Sequence, residues 1–226
     1  MILSKETLDI LYNFSTINQN IFINKGNILR IKSSQRIIYG EAVIPDSFPE
    51  DFAISNLKQF LSLVNTFNLY DISFEKEKLV IHSEGKYSVN YPYADPNTVE
   101  GVKNPLSIKN AFIKLTLNED DITKTHSIGN IFGLNMFTIE GNTKTNKTIA
   151  YYRDIKTDNT PRGSLDLFTK PEFDYKVNIL SEHLKMIKGS YDISITKDPI
   201  PMCLLEHKTL PVKYAIALHI STEFND

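Results

Sequence analysis

The segment NIFINKGN (residues 20–27) shares the pattern N-x-F-x-x-x-G-N with the segment NMFTIEGN (residues 135–142), 115 residues further along the chain. Each copy begins with apolar and aromatic residues that favour a β-strand and ends in Gly-Asn, which is common in turns. Each copy therefore predicts a strand that runs into a hairpin turn, over residues 25–27 in the first and residues 140–142 in the second.

Two further matches lie in the same order in both halves of the chain. LSKE (3–6) and LNED (117–120) agree in residue type at an offset of 114, and YDIS occurs at 70–73 and again at 191–194, an offset of 121. Three collinear matches at nearly constant spacing indicate an internal duplication, with a longer hairpin around residues 158–163 in the second half. The alternative is that turn residues and strand patterns recur in any β-rich protein.

Each half has the same predicted plan, in which helices interrupt a series of strands. Four helices are predicted, over residues 4–14, 55–67, 119–131 and 180–188. Ser4 and Asn118 have side chains suited to cap the first and third helices, and Gly189 ends the fourth. The remaining elements are short strands, predicted over residues 1–3, 21–23, 37–42, 71–74, 79–82, 87–91, 112–117, 136–139, 147–152, 165–168, 175–179, 193–196 and 213–219. This combination places the chain in the α+β class.

Residues 92–105 join the two halves and contain three prolines and one glycine. Proline lacks a backbone N–H and disfavours both helices and central strands, so this segment is predicted to be an extended crossover. We expect a first domain over residues 1–105 and a second over residues 106–226, with the crossover at about 92–110.

The composition excludes several classes of protein. The 226 residues include 25 basic and 27 acidic ones, so the net charge of −2 excludes a uniformly basic nucleic-acid coat. A single cysteine, Cys203, excludes a disulfide framework and a multi-cysteine zinc site. No apolar run is long enough to span a membrane, and the N-terminus does not read as a signal peptide, so a reducing cytoplasm is expected.

No catalytic or metal-binding motif is present in the sequence. The five histidines are scattered, and the acidic run over residues 119–121 fits the first turn of a helix, where the helix dipole favours carboxylates. Cys203 lies in an apolar strand without basic neighbours, as expected for a buried structural thiol. We therefore predict no catalytic residues, no metal and no cofactor, although a catalytic triad need not leave a local motif.

Three segments resemble the sliding clamps of T-even-type bacteriophages, the processivity factors of DNA polymerase. They are LSKET (3–7), FSTIN (14–18) and YPYADPNTV (91–99), and the last is the most specific. In the second half of the chain the resemblance rests on element order and length.

The resemblance implies two tandem DNA-clamp domains, with antiparallel sheets outside and two helices per domain lining the inside. Three protomers are implied to close into a ring that slides on double-stranded DNA without sequence preference and without catalytic activity. The implied partners are the C-terminal peptide of the phage DNA polymerase, a clamp loader that uses ATP of its own, and factors for late transcription. The implied location is the cytoplasm of the infected bacterial host, with no membrane partner.

A sliding surface needs diffuse positive charge towards phosphates and no contacts that read bases. The candidate DNA-facing residues on the polar sides of the helices are Lys5, Lys58, Lys124, Lys185 and Lys188. The same helices carry six carboxylates, so the expected surface is not strongly basic. Nearby loop cations that could add to the field are Lys25, Arg30, Lys32 and Arg36. For each helix lysine, an ordinary solvated surface is the alternative.

Closure of a ring requires strand pairing between protomers at exposed sheet edges. By the topology of the family, these edges are residues 86–91 in the first domain and residues 164–168 in the second. A pocket for partner peptides is predicted near the crossover, lined by Val99, Val102, Pro105, Pro201 and Met202. A crossover that simply packs on its own sheet is the alternative to that pocket.

Two other functions compete with the sliding clamp. A structural or assembly protein of a phage, built from duplicated β domains, shares the composition and the tendency to oligomerise. A β-rich hydrolase needs a cleft with convergent polar groups, which the sequence does not indicate. Oligomeric state and the shape of the particle discriminate among the three.

Overall fold

The computed structural model describes residues 1–67, 69–102, 104–105, 111–156 and 163–225. The chain forms two compact units, Met1–Leu106 and Ser107–Asp226. Part of the predicted crossover (106–110) and most of the predicted long hairpin (158–163) lie outside the described residues.

The first unit combines two helices with antiparallel strands. In chain order its elements are α1 (Lys5–Ile17), β1 (Ile21–Ile23), β2 (Gly26–Lys32), β3 (Ile38–Phe48), β4 (Phe52–Ile54), α2 (Leu57–Thr66), β5 (Asp71–Glu75), β6 (Lys78–Ser83) and β7 (Tyr87–Pro92). Strand β1 pairs with β4, β2 pairs with β3, and β5, β6 and β7 form a three-stranded meander. The α1 helix packs on β2 and β3, where the Phe14 ring lies against Gly40.

The described residues of the second unit form one α-helix and two antiparallel groups of strands. Its elements are β8 (Ile113–Leu117), α3 (Glu119–Ile131), β9 (Met136–Asn142), β10 (Lys147–Arg153), β11 (Ser164–Asp166), β12 (Asp174–Leu180), β13 (Tyr191–Thr196), β14 (Met202–His207), β15 (Val212–Ala217) and β16 (Glu223–Asn225). One sheet has the order β11-β10-β9-β12-β16, and β8, β13, β14 and β15 pair in series in the other. The α3 helix lies on β10.

The two units share an order of elements. In each unit a thirteen-residue helix precedes most of the strands, although β8 comes before it in the second unit. The repeated YDIS sequence then begins a series of three strands, β5–β7 in the first unit and β13–β15 in the second. The second unit also has β8, β11 and β16, which have no counterpart among the described residues of the first. The three sequence matches therefore fall on corresponding elements.

The predicted helices 4–14, 55–67 and 119–131 are found as α1, α2 and α3, with ends that differ by up to three residues. The predicted helix over residues 180–188 is wrong, because this window contains a single 3₁₀ turn, Ser181–His183. The fold is thus α+β as predicted, but the second unit has one α-helix rather than two.

Tertiary hydrogen bonds explain why this fourth window is not helical. The Tyr191 hydroxyl donates to the Ile187 carbonyl (2.5 Å), and the Ile187 N–H donates to the Tyr214 hydroxyl (3.3 Å). Leu184 and Ile187 are both partly buried. A nine-residue window gains little from helix formation alone, so contacts with the surrounding sheet determine its conformation.

Two other local predictions are wrong. Residues 140–142 are not a turn, because β9 continues through them and Gly141 lets the Tyr175 ring approach the backbone closely. Residues 1–3 are not a strand, although the Met1 carbonyl accepts a hydrogen bond from the Ile72 N–H (2.9 Å) at the edge of β5. None of the helices found in the described ranges has the length and apolarity that crossing a membrane requires.

Candidate nucleic-acid interface

Helix α1 begins at a capped N-terminus that is tied to strand β3. The Ser4 hydroxyl accepts a hydrogen bond from the Thr7 N–H (3.2 Å), and the Ser4 hydroxyl and backbone N–H both donate to Asp46 Oδ2 (2.7 and 2.8 Å). Partial burial raises the pKa of Asp46, but the hydrogen bonds from Thr7 and Ser4 outweigh this effect and hold that pKa below its usual value. The start of α1, which includes Lys5, is therefore fixed relative to the sheet.

The helices α1 and α2 contact each other and bury their apolar sides. The buried apolar residues are Ile10, Leu11, Phe14 and Ile17 on α1 and Leu57, Phe60, Leu61 and Val64 on α2. The Tyr12 hydroxyl donates to the Leu61 carbonyl (3.2 Å) and joins the two helices. Burial of these apolar side chains orients both helices and leaves one polar face on each.

Exposed residues recur along each helix at helical spacing. Among them are Lys5, Asp9, Tyr12 and Thr16 on α1, Lys58, Ser62 and Asn65 on α2, and Asp120, Thr123, Lys124, Ser127 and Asn130 on α3. We call these residues the polar helix faces. Each face carries one lysine, and most of its other side chains are uncharged hydrogen-bonding groups.

The charge of the three helices is not positive. They contain the three lysines Lys5, Lys58 and Lys124 against five carboxylates, three of which lie in the first turn of α3. Carboxylates in a first turn are stabilised by the helix dipole, which accounts for their position there. A polyanion would thus meet separate positive charges among neutral and acidic groups, and contacts of this kind are weak and do not read sequence.

Lys185 and Lys188 are exposed but do not belong to a helix face. They follow the 3₁₀ turn in a segment without regular structure, and the Lys188 carbonyl lies 3.0 Å from His207 Nε2. The helical spacing that suggested both residues is therefore absent from the structure. Their predicted contact with DNA rests only on their charge and exposure.

Three of the four cations that were expected in loops form ion pairs within the first unit, and two of them, Arg30 and Lys32, lie in β2. Arg30 pairs with Glu41 (2.7 Å), while Lys32 and Arg36 both pair with Glu100 (2.5 and 3.1 Å). Hydrogen bonding to Lys32, with a further contribution from Arg36, holds the pKa of Glu100 below its usual value. These three cations share two carboxylates of the same unit, so their contribution to a positive field is smaller than their number suggests.

Comparisons with known proteins agree with this architecture. The model of the family described as DNA polymerase processivity factor matches residues 4–99. The sliding clamp of Vibrio phage KVP40 is 26% identical over 204 residues, which cover 86% of this chain and 90% of the relative. The sliding clamp of Escherichia phage RB69 is 25% identical over 201 residues, which cover 86% of this chain and 87% of the relative.

A solved structure of PCNA from A. fulgidus, bound to the C-terminal region of FEN-1, has a TM-score of 0.69. It is 10% identical to this chain, and the match covers 98% of both chains, which shows the fold. Together with the phage relatives, these matches confirm the resemblance found in the sequence. The matched family model and the phage relatives support a DNA sliding clamp of the T-even phage type. Processivity factors of this kind are not enzymes, and the alternative of a phage structural or assembly protein is not favoured.

The predicted peptide pocket of the clamp draws on both units. In the first unit Val99 is buried, Val102 is partly buried and Pro105 is exposed. In the second unit Pro201 is exposed and Met202 is partly buried at the start of β14. The pocket stays a prediction.

The cysteine and the acidic residues of the clamp are consistent with a structural role. Burial raises the pKa of the Cys203 thiol to about 12, so the thiol is protonated at neutral pH and is a poor nucleophile. Within the described part of the chain, no three His, Cys, Asp or Glu side chains are grouped so as to hold a metal ion. Asp120 and Asp121 lie on the exposed start of α3, as the helix dipole predicts.

Sequence reasoning did not select the uncharged members of the polar helix faces as candidate contacts with DNA. Thr16, Asn65 and Ser127 lie on the same faces as the lysines, yet only charge was used to choose candidates. The spacing of three and four residues between polar positions, such as Lys58, Ser62 and Asn65, was the signal that could have identified them.

Proposed function

We propose that three copies of this clamp close into a ring of six clamp units around duplex DNA and hold the replicative polymerase on its template. The observation that carries the proposal is a pair of sheet edges. In the described part of the chain, β7 pairs only with β6, and β11 pairs only with β10. The two edges belong to different units, so pairing between them is head-to-tail and can close a ring.

The polar helix faces are proposed to line the hole. Lys5, Lys58 and Lys124 would contact phosphates, and the neutral hydroxyl and amide groups would exchange hydrogen bonds with water and sugar-phosphate oxygens. Such contacts have no preferred register along the duplex, so the ring can move. Topological linkage then retains the ring on DNA although each contact is weak.

The partners are proposed from the relatives. The A. fulgidus PCNA structure holds the C-terminal region of FEN-1. By analogy, the C-terminal peptide of the phage polymerase would bind this clamp, in the pocket predicted around Val99, Val102, Pro105, Pro201 and Met202. A clamp loader would open the ring with its own ATP, late transcription factors would bind the loaded ring, and all of these would meet in the cytoplasm of the infected host.

Loading on circular DNA tests the proposal. The clamp is loaded onto a nicked circular plasmid by the phage loader with ATP, and the complex is then washed at high salt. A topologically linked ring stays on the circle, and it leaves when a restriction enzyme linearises the plasmid. Blocking both ends of the linear DNA with a bound protein should restore retention.

Light scattering gives the independent check on assembly, because it measures the mass of the free particle. A mass of three protomers at micromolar concentration is expected. A stable monomer, or equal retention on open linear DNA and on circles, contradicts the ring. Assemblies much larger than a trimer would instead support the structural-protein alternative.

A further inference from the structure

Phe168 is an exposed aromatic residue in a conformation that non-glycine residues rarely adopt. Its side chain is 92% exposed, and its backbone φ is +52°. A hydrogen bond from the Phe168 N–H to Asp166 Oδ1 (2.8 Å) holds this conformation. Bulky residues with positive φ are sterically disfavoured, and they cluster where the surroundings give them a role.

The position of Phe168 is at the end of the unpaired edge of the second unit. Strand β11 ends at Asp166, and the Leu167 N–H still donates to the Thr148 carbonyl of β10 (2.9 Å). The next residue, Phe168, leaves the sheet. One end of any strand that pairs with β11 would therefore lie beside the Phe168 side chain.

An aromatic patch lies at the corresponding end of the unpaired edge of the first unit. Tyr87, the first residue of β7, is 56% exposed, and its ring lies 6.0 Å from that of Phe67. Leu69 is 71% exposed, and its carbonyl accepts a hydrogen bond from Ser83, the β6 residue paired with Tyr87. We call Phe67, Leu69 and Tyr87 the aromatic patch.

Strand direction relates Phe168 to the aromatic patch. When two strands pair antiparallel, the C-terminal end of one lies beside the N-terminal end of the other. Phe168 follows the C-terminal end of β11, and Tyr87 stands at the N-terminal end of β7. We propose that Phe168 of one protomer packs on the aromatic patch of the next protomer and so fixes the register of the ring.

The composition of the two edge strands supports a second copy of this chain as the partner that covers each edge. Proteins protect exposed edge strands with charged side chains, yet β7 has none from Tyr87 to Pro92. In β11 the one charged residue, Asp166, already pairs with Lys147 (2.9 Å). Neither edge presents an uncompensated charge to the other, so pairing between them costs little desolvation of ions.

The inference rests on the proposed ring, and dissociation of the ring tests it. We expect Phe168→Ala to raise the concentration at which half of the trimer dissociates by a factor of about ten or more, because truncating a buried interface aromatic weakens association at this scale. Ile220→Ala is the matched control, since Ile220 is a 97% exposed apolar residue of the same unit. Phe168→Gly relieves the positive φ and should weaken the trimer equally without impairing the fold.

Cross-linking tests directly whether the side chain of residue 168 lies beside the aromatic patch of the next protomer. In a Phe168→Cys/Tyr87→Cys variant, a short bismaleimide should join protomers into covalent dimers and trimers, while the buried native Cys203 stays unreactive. Ile220→Cys/Tyr87→Cys should give no such products.

The outcomes separate this inference from the proposed ring. If the trimer forms without specific cross-links, the proposed contact is wrong and the ring still stands. The same holds if Phe168→Ala weakens the trimer no more than Ile220→Ala does. A monomeric wild-type protein overturns both. An unchanged trimer that loses binding of the polymerase C-terminal peptide after Phe168→Ala would overturn the contact and assign Phe168 to partner binding.

Discussion

Asp46 joins the first turn of α1 to the sheet, and its charge makes that link dependent on pH. We expect Asp46→Asn to destabilise the clamp by about 1 kcal/mol at neutral pH, since the side chain accepts hydrogen bonds from Ser4 at a helix cap. Urea unfolding followed by circular dichroism measures this difference. Asp9→Asn, an exposed position on the same helix, is the matched control and should have little effect.

The sign of the pH dependence follows from the lowered pKa of Asp46 in the folded clamp. A carboxyl whose folded pKa lies below its unfolded value of about 3.9 stabilises the fold above that value. This contribution is lost as the pH falls through the folded pKa. The difference in stability between the wild type and Asp46→Asn should therefore shrink below about pH 4. A difference that stays constant down to the acid unfolding transition contradicts this role of Asp46.

The sequence predicted the N-cap of α1 correctly. It did not reveal which distant residues form hydrogen bonds with the starts of α1 and α3. Ser4 was identified because a serine before an apolar helical pattern is a typical N-cap, and it caps α1. Asn118 holds the predicted cap position of α3, yet its side chain makes no cap hydrogen bond, and the Glu119 N–H donates instead to the Ser190 hydroxyl (3.0 Å). Asp46 and Ser190 are distant in sequence from the helices that they serve, so local patterns could not reveal them.

At the scale of elements, the helices show where the periodicity of the sequence is sufficient to predict secondary structure. The α3 helix was predicted with its observed bounds, because the acidic first turn marks its start and the window is long enough for packing on β10 to support a helix. The window at 180–188 has apolar residues at helical spacing, but Tyr191 and Tyr214 take the backbone hydrogen bonds of Ile187. Sequence alone gives no indication that two tyrosines from later strands compete with the helix.

The placement of α3 depends on one close approach between the helix and its sheet. A Cβ atom at Gly129 would lie 2.6 Å from the Tyr152 ring of β10. Gly129→Ala should therefore destabilise the clamp by about 1–3 kcal/mol, because overpacking must displace the ring or the helix. This loss is expected although alanine favours helices over glycine by about 1 kcal/mol.

Urea unfolding of Gly129→Ala and of the neighbouring Asn130→Ala measures that effect. Asn130 is exposed on the same helix, so its replacement should change stability by no more than about 0.5 kcal/mol. If Gly129→Ala is as stable as the wild type or more stable, α3 does not lie as close to Tyr152 as the structure shows.

At the scale of the whole molecule, the internal repeat was the most informative feature of the sequence. It predicted corresponding elements in both halves, because duplicated sequences retain strand order even when few residues still match. The unpaired edges of β7 and β11 were also at the positions that the phage resemblance implied. The helices were expected not to be strongly basic, but the ion pairs of Arg30, Lys32 and Arg36 were not predicted, since they depend on which carboxylates lie beside these residues in the fold.

The three lysines of the polar helix faces should determine how well the assembled ring tracks DNA. Changing Lys5, Lys58 and Lys124 together to Glu should shorten the products of processive synthesis on a primed template, because each subunit then repels phosphates where it attracted them. The trimer mass should stay unchanged, since none of the three residues lies on β7 or β11. Primer extension with polymerase and loader, at physiological salt and on templates of different base composition, measures product length.

A control with the same change in net charge separates local contact from global repulsion. Lys76, Lys144 and Lys156 are also exposed but lie off the helices, so their joint replacement by Glu should shorten the products much less. The loss in the helix variant should be the same on AT-rich and GC-rich templates, because phosphate contacts carry no sequence information. Equal losses in both triple variants would mean that net charge, and not the polar helix faces, sets the interaction with DNA. Unchanged product length in the helix variant would remove these lysines from the DNA-facing surface altogether.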